Sequence, residues 1–108
     1  MSFTTDYSDD EPTRDEIDRS TGSLLLEFGA GWCGHCQALS PTIRQALEER
    51  SHVRHLRIAD GRGKALGRSF RVKLWPTLVF LHDGKIVAQL VRPTEDEVLR
   101  AFDGLPPG

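Results

Sequence analysis

The chain has 108 residues, 38% hydrophobic and 28% charged, with a formal net charge of −2 at pH 7. That length fits one domain with one core, able to fold without disulfide staples or a structural metal. The near-neutral balance argues against nucleic acid as the main partner, and no apolar stretch approaches the roughly 20 residues of a membrane-spanning helix.

Residues Met1 to Tyr7 are expected to form a short edge strand, and Glu11 to Arg19 a short helix. Pro12 lies near its start, and Thr13 stands three residues before Glu16 in capping-box spacing. Thr21-Gly22-Ser23 breaks the chain. Leu24 to Phe28 is a continuous apolar run holding one acid, Glu27, as a strand buried on both faces reads. After Gly29-Ala30-Gly31, Leu39, Ile43, Ala46 and Leu47 recur at helical spacing up to about Arg50, with Pro41 inside as a kink rather than a stop.

Val53 to Ile58 is a second strand, and Lys64 to Phe70 a short helix. Gly61 to Gly67 lacks phosphate-loop spacing and reads as a turn. Thr77 to Leu81 and Lys85 to Val91 are strands joined by His82-Asp83-Gly84, where Asp83-Gly84 accepts the positive φ angles of a tight hairpin. Thr94, with Glu97 three residues on, caps a last helix carrying Val98, Leu99 and Phe102, and residues 105–108 form a flexible tail. The order β-α-β-α-β-α-β-β-α predicts a three-layer α/β domain over residues 1–108. Its central mixed sheet has four or five strands, with helices on both faces.

The acidic, polar N-terminus has no basic segment followed by an apolar one, so it does not read as a secretory signal and a reducing cytoplasm is expected. Residues 1–18 carry seven acids and one base, leaving the remainder mildly basic; solvated helix and loop faces account for this more simply than a surface for acidic partners. In a reducing compartment, two cysteines three positions apart point to catalysis or metal binding rather than a structural disulfide.

The chemistry concentrates in Trp32-Cys33-Gly34-His35-Cys36. Cys33 falls where a buried strand ends and a helix begins, so free backbone N–H groups and the helix dipole favour a thiolate there. The thiolate is the attacking species in disulfide exchange, which makes Cys33 the expected nucleophile. Cys36, one turn on, faces back and can resolve a mixed disulfide. His35, as cation or donor, stabilises the Cys33 thiolate relative to the disulfide, so the couple should be more oxidising than with proline at this position. A buried carboxylate at Glu27 should have a raised pKa through desolvation, unless a nearby base pairs with it.

Leu26-Glu27-Phe28, Ala30, the Trp32–Cys36 motif and Pro41, followed by Pro76-Thr77-Leu78 and Asp83-Gly84-Lys85, resemble thioredoxins and the catalytic domains of protein disulfide isomerases. The resemblance covers nearly the whole chain, and the Gly34-His35 dipeptide matches the isomerase type. It implies thiol–disulfide oxidoreductase activity, the reduction or else the oxidation and isomerisation of protein disulfides, and a cis bond before Pro76, in place of an ordinary trans proline opening a strand. It further implies a substrate groove including Trp75 and Pro76, flanked by Trp32 and Gly34, and a Glu27 that moves a proton to or from Cys36, through water. It also implies a monomer with no bound cofactor, protein disulfides as substrates, and electrons from a NADPH-dependent reductase of the thioredoxin-reductase kind.

Three positions depart from that pattern. Gly29 replaces an aromatic residue and loosens packing. Trp75 replaces a small or aliphatic one and either narrows the groove or anchors a partner. Arg92 stands where glycine often faces the substrate, unless its side chain points away; together these suggest a narrow client range. Two other function classes remain. One is a binding or chaperone-like module that uses the proline groove and keeps a regulatory dithiol. The other is a metal site, for which Cys33, Cys36 and His35 offer at most three of the four ligands a structural zinc takes. His52, His55 and His82 share no spacing with the cysteines and read as surface or loop residues.

Overall fold

The computed structural model describes residues 3–108. Its elements are α1 (Arg14–Asp18), β1 (Ser23–Gly29), α2 (Gly34–Glu48), β2 (Arg54–Ala59), α3 (Ala65–Ser69), β3 (Thr77–His82), β4 (Lys85–Val91) and α4 (Glu95–Asp103). The strands form one four-stranded sheet in the order β2-β1-β3-β4. β1 pairs parallel with β2 and antiparallel with β3, and β3 pairs antiparallel with β4.

The apolar run of β1 is buried along its whole length because alternate side chains enter two different cores. Leu25 packs with Leu78 and Phe80 of β3 against Ile43 and Leu47 of α2 and Phe102 of α4. Leu24, Leu26 and Phe28 pack with Val79 and Leu81 on the opposite face, against Ile17 of α1 and Leu66 of α3. Helices therefore cover both faces of the sheet. By the same alternation Glu27 points to the Leu25 side, toward α2, which begins at the cysteine motif. Among the described residues, no helix is long and apolar enough to cross a membrane.

Both predicted capping boxes form, with Thr13 and Thr94 each accepting from a backbone N–H three residues on while Glu16 and Glu97 reach back. Thr13 is the cap itself, so α1 starts at Arg14 and is shorter than the sequence suggests. Helix α2 runs on through Pro41. The hairpin turn takes positive φ at Asp83 (50°) and Gly84 (76°). A Cβ on Gly84 would also strike the carbonyl of Asp18, so this turn requires glycine.

Two expectations are corrected. The edge strand over Met1–Tyr7 is absent from residues 3–7, while residues 1 and 2 lie outside the described region. The segment does run beside β2, but its polar groups are taken by side chains there: Thr4 N–H donates to His55 Nδ1 at 2.8 Å, and Arg57 Nη1 donates to the Thr5 carbonyl at 2.9 Å. A single parallel bridge, Ser8 to Ile58, is all that remains of sheet pairing. The tail expected from residue 105 does not include Leu105, which is buried in the α2–α4 core.

Candidate active site

The site is assembled where β1 passes into α2. Cys33 is the N-cap of α2, and its Sγ accepts the Cys36 backbone N–H at 3.3 Å. A side-chain sulfur thus occupies the place that serine or aspartate oxygens take at helix starts, next to unpaired N–H groups and the positive end of the helix. Both cysteines are free thiols. Gly34 and His35 form the exposed first residues of the helix. Cys36 is the more enclosed thiol: burial and its neighbour Cys33 push its pKa up to about 11, against smaller lowering effects of the Ala30 backbone and the Tyr7 hydroxyl.

The Trp75–Pro76 peptide bond is cis. Trp75 packs against Ala30, Cys33 and Cys36, and its indole N–H donates to Asp60 Oδ2 at 2.9 Å. Trp32, 76% exposed, meets Trp75 edge-on with ring centroids 5.4 Å apart. The two indoles make an aromatic wall beside the sulfurs. On the other side lies a cleft of about 320 Å³ lined by His35, Ala38, Leu39, Pro76, Arg92 and Pro93. Arg92 turns into this cleft rather than away. Its backbone is left-handed (φ 45°), and its Nε donates to the Trp75 carbonyl at 2.8 Å. The structure thus gathers His35, Pro76 and Arg92 in one cleft and sets Trp75 against the two cysteines, with Trp32 on Trp75 and Gly34 between the thiols in the chain.

Glu27 lies beneath them, fully buried. Its Oε1 accepts from His55 Nε2 at 2.9 Å and Arg57 Nε at 3.1 Å, and its Oε2 accepts from the Tyr7 hydroxyl at 2.6 Å. Because His55 Nδ1 accepts the Thr4 N–H, Nε2 carries the proton that His55 gives to the carboxylate. The expected rise in the Glu27 pKa is therefore corrected. Burial does push it up, but the His55 hydrogen bond, the Arg57 charge and the Tyr7 hydroxyl together hold it below the ordinary carboxylate value. The carboxylate is a paired, stable anion. His55 is likewise corrected from a surface residue to a buried one, whereas His52 is exposed.

Tyr7, His55 and Arg57 are the residues that sequence reasoning missed. The signal for the two bases lay in Arg54-His55-Leu56-Arg57 of β2. The parallel register sets Leu25 beside His55 and Glu27 beside Arg57, so both bases share the Glu27 face. The expected loosening at Gly29 is corrected as well, because Tyr7 fills the space. A Cβ at residue 29 would come 2.6 Å from Cys36 Sγ and 3.1 Å from Tyr7 Cε1. Among the described residues, no group of three or more His, Cys, Asp or Glu side chains could hold a metal ion.

Comparison with known proteins gives a consistent picture. The thioredoxin family model matches residues 5–103. The structure of reduced thioredoxin 2 from Pseudomonas aeruginosa superposes with a TM-score of 0.82 at 50% identity, over 94% of each chain. A thioredoxin H-type of Ricinus communis is 29% identical over 71% of this chain and 65% of its own length. Protein disulfide-isomerase A2 of Pongo abelii is 44% identical over 61% of this chain and 13% of its own length. The chain therefore spans just under two thirds of the Ricinus relative and a small part of the isomerase.

The paired Glu27 carboxylate predicts a pH-dependent stability. With its pKa held below that of the unfolded chain, its contribution is fully present above the ordinary glutamate value of about 4.3 and is lost as pH falls through the folded value. Glu27→Gln should cost about 3–5 kcal/mol at pH 7 and much less at pH 3, measured by urea unfolding. An equal loss at both pH values would contradict the pairing.

Proposed function

The chain belongs to the thioredoxin family of thiol–disulfide oxidoreductases, and on that premise we propose a protein-disulfide reductase that works through Cys33 as nucleophile and Cys36 as resolving thiol. The observation that carries this reading is the pair of cysteines at the start of α2, with Cys33 as the N-cap and its Sγ accepting the Cys36 backbone N–H. The Cys33 thiolate attacks a partner disulfide, one partner sulfur leaves with the electron pair, and a mixed disulfide remains. Cys36 then attacks Cys33 Sγ, the second partner sulfur leaves as a thiolate, and Cys33–Cys36 closes as a disulfide. The protein is oxidised by two electrons and the partner is reduced by two.

An extended segment of the partner lies in the cleft beside Trp75 and Pro76. Arg92 already occupies the Trp75 carbonyl, so a client must displace the guanidinium or engage it, which favours a restricted client set. Trp32 and Trp75 offer an aromatic anchor, and Gly34 leaves the approach to the sulfurs open, since a Cβ there would meet nothing within 4 Å. Glu27 acts from beneath as a fixed anion near Cys36 rather than as a strong base. No bound cofactor or metal takes part; the protein works as a monomer in the cytoplasm and is returned to the dithiol by a NADPH-dependent reductase of the thioredoxin-reductase kind.

Two measurements test the proposal. With thioredoxin reductase, NADPH and insulin, the protein should consume NADPH catalytically, and Cys33→Ser or Cys36→Ser should abolish turnover. A variant that loses insulin reduction yet keeps its client function would favour a binding module instead. Titration against reduced and oxidised glutathione should put the couple between about −270 and −180 mV, the span from thioredoxin to protein disulfide isomerase. A value at or below the lower limit would contradict the role given to His35.

A further inference from the structure

Tyr7 comes from a segment with no regular secondary structure, yet it reaches the centre of the site. Its ring packs against Ala30, Cys33 and Cys36, and it faces the Cys36 sulfur across the gap left by Gly29. Its hydroxyl donates to Glu27 Oε2 at 2.6 Å. The Arg57 guanidinium lies over the other side of the ring, 4.7 Å from its centroid. Burial, and then the Glu27 charge, hold the phenol pKa far above its ordinary value, so the hydroxyl remains a proton donor.

We propose that Tyr7 is a positioning residue for the resolving thiol, its single hydroxyl proton resting on Glu27 while Cys36 is a thiol and turning to the Cys36 sulfur when the thiolate forms. The inference rests on the exchange sequence proposed above. Rotation about the Cζ–Oη bond redirects the proton while the ring stays packed against the Ala30, Cys33 and Cys36 cluster. Glu27 can release the donor because His55 and Arg57 still hold its other oxygen. The lowering effect of the Tyr7 hydroxyl on Cys36 agrees with this assignment.

In the resolving step the Cys36 proton passes to solvent and the Tyr7 O–H supports the sulfur anion. A bond forms between Cys36 Sγ and Cys33 Sγ, and the bond from Cys33 to the partner breaks. The partner sulfur takes the electron pair and is protonated from solvent. The charged and titratable groups packed around Tyr7 are Glu27 from β1, His55 and Arg57 from β2, and Cys33 and Cys36 at the start of α2. Tyr7→Phe leaves each of them in place and removes only the hydroxyl.

The test is stopped-flow reaction of the reduced full chain with 5,5′-dithiobis(2-nitrobenzoate), followed from pH 5 to 10. The first thionitrobenzoate released reports attack by Cys33, and the second reports attack by Cys36. Tyr7→Phe should slow the second phase about tenfold at pH 7, the scale of one hydrogen bond to a charged group. It should also move that phase's pH profile upward while leaving the first phase within twofold of wild type. An unchanged second phase and profile would overturn the assignment. So would equal slowing of both phases, since that marks a general loosening of the site. Release of only one thionitrobenzoate per wild-type chain would instead refute the exchange sequence itself, separately from Tyr7.

Discussion

A carboxylate taken fully out of water is costly unless charge and hydrogen bonds replace its hydration, and much of this molecule is arranged around that requirement at Glu27. His55 and Arg57 come from the neighbouring strand and Tyr7 from the N-terminal segment. Arg57 extends the network further, donating to the Thr5 carbonyl and to the Ser40 hydroxyl in α2. One buried anion thus ties the N-terminal segment, β1, β2 and the cysteine helix together. The network explains why residues 3–7 stay irregular: the groups that would extend the sheet are already satisfied by β2 side chains.

The same arrangement separates the environments of the two thiols. Cys33 is the N-cap of α2, next to the exposed Trp32, and its sulfur accepts a backbone N–H. Cys36 is enclosed by Ala30, Tyr7 and Trp75 and is held toward its protonated form. The roles proposed for the two thiols rest on this difference in surroundings, not on any difference in residue type. The groove side is equally specific. Trp75 is fixed by Asp60, and its carbonyl is covered by Arg92.

Much of this was legible in the sequence because the signals were local. The cysteine motif, the capping boxes at Thr13 and Thr94, the Asp83-Gly84 turn and the doubly buried β1 each occupy a few consecutive residues. The environment of Glu27 was not legible, since its pKa depends on which side chains a strand register and a distant segment deliver. Tyr7 stands 20 residues before Glu27 and His55 stands 28 after it. Burial alone suggests a raised pKa, and the donors reverse the sign. Gly29 follows the same logic: a missing aromatic reads as a void until the ring that fills it arrives from elsewhere in the chain.

The most direct test of the account is chemical trapping of the intermediate. Cys36→Ala protein incubated with insulin should accumulate a mixed disulfide that peptide mass spectrometry locates at Cys33, while Cys33→Ala protein should form none under the same conditions. A covalent complex formed through Cys36 instead, or none through either thiol, would contradict the assignment of nucleophile and resolving thiol.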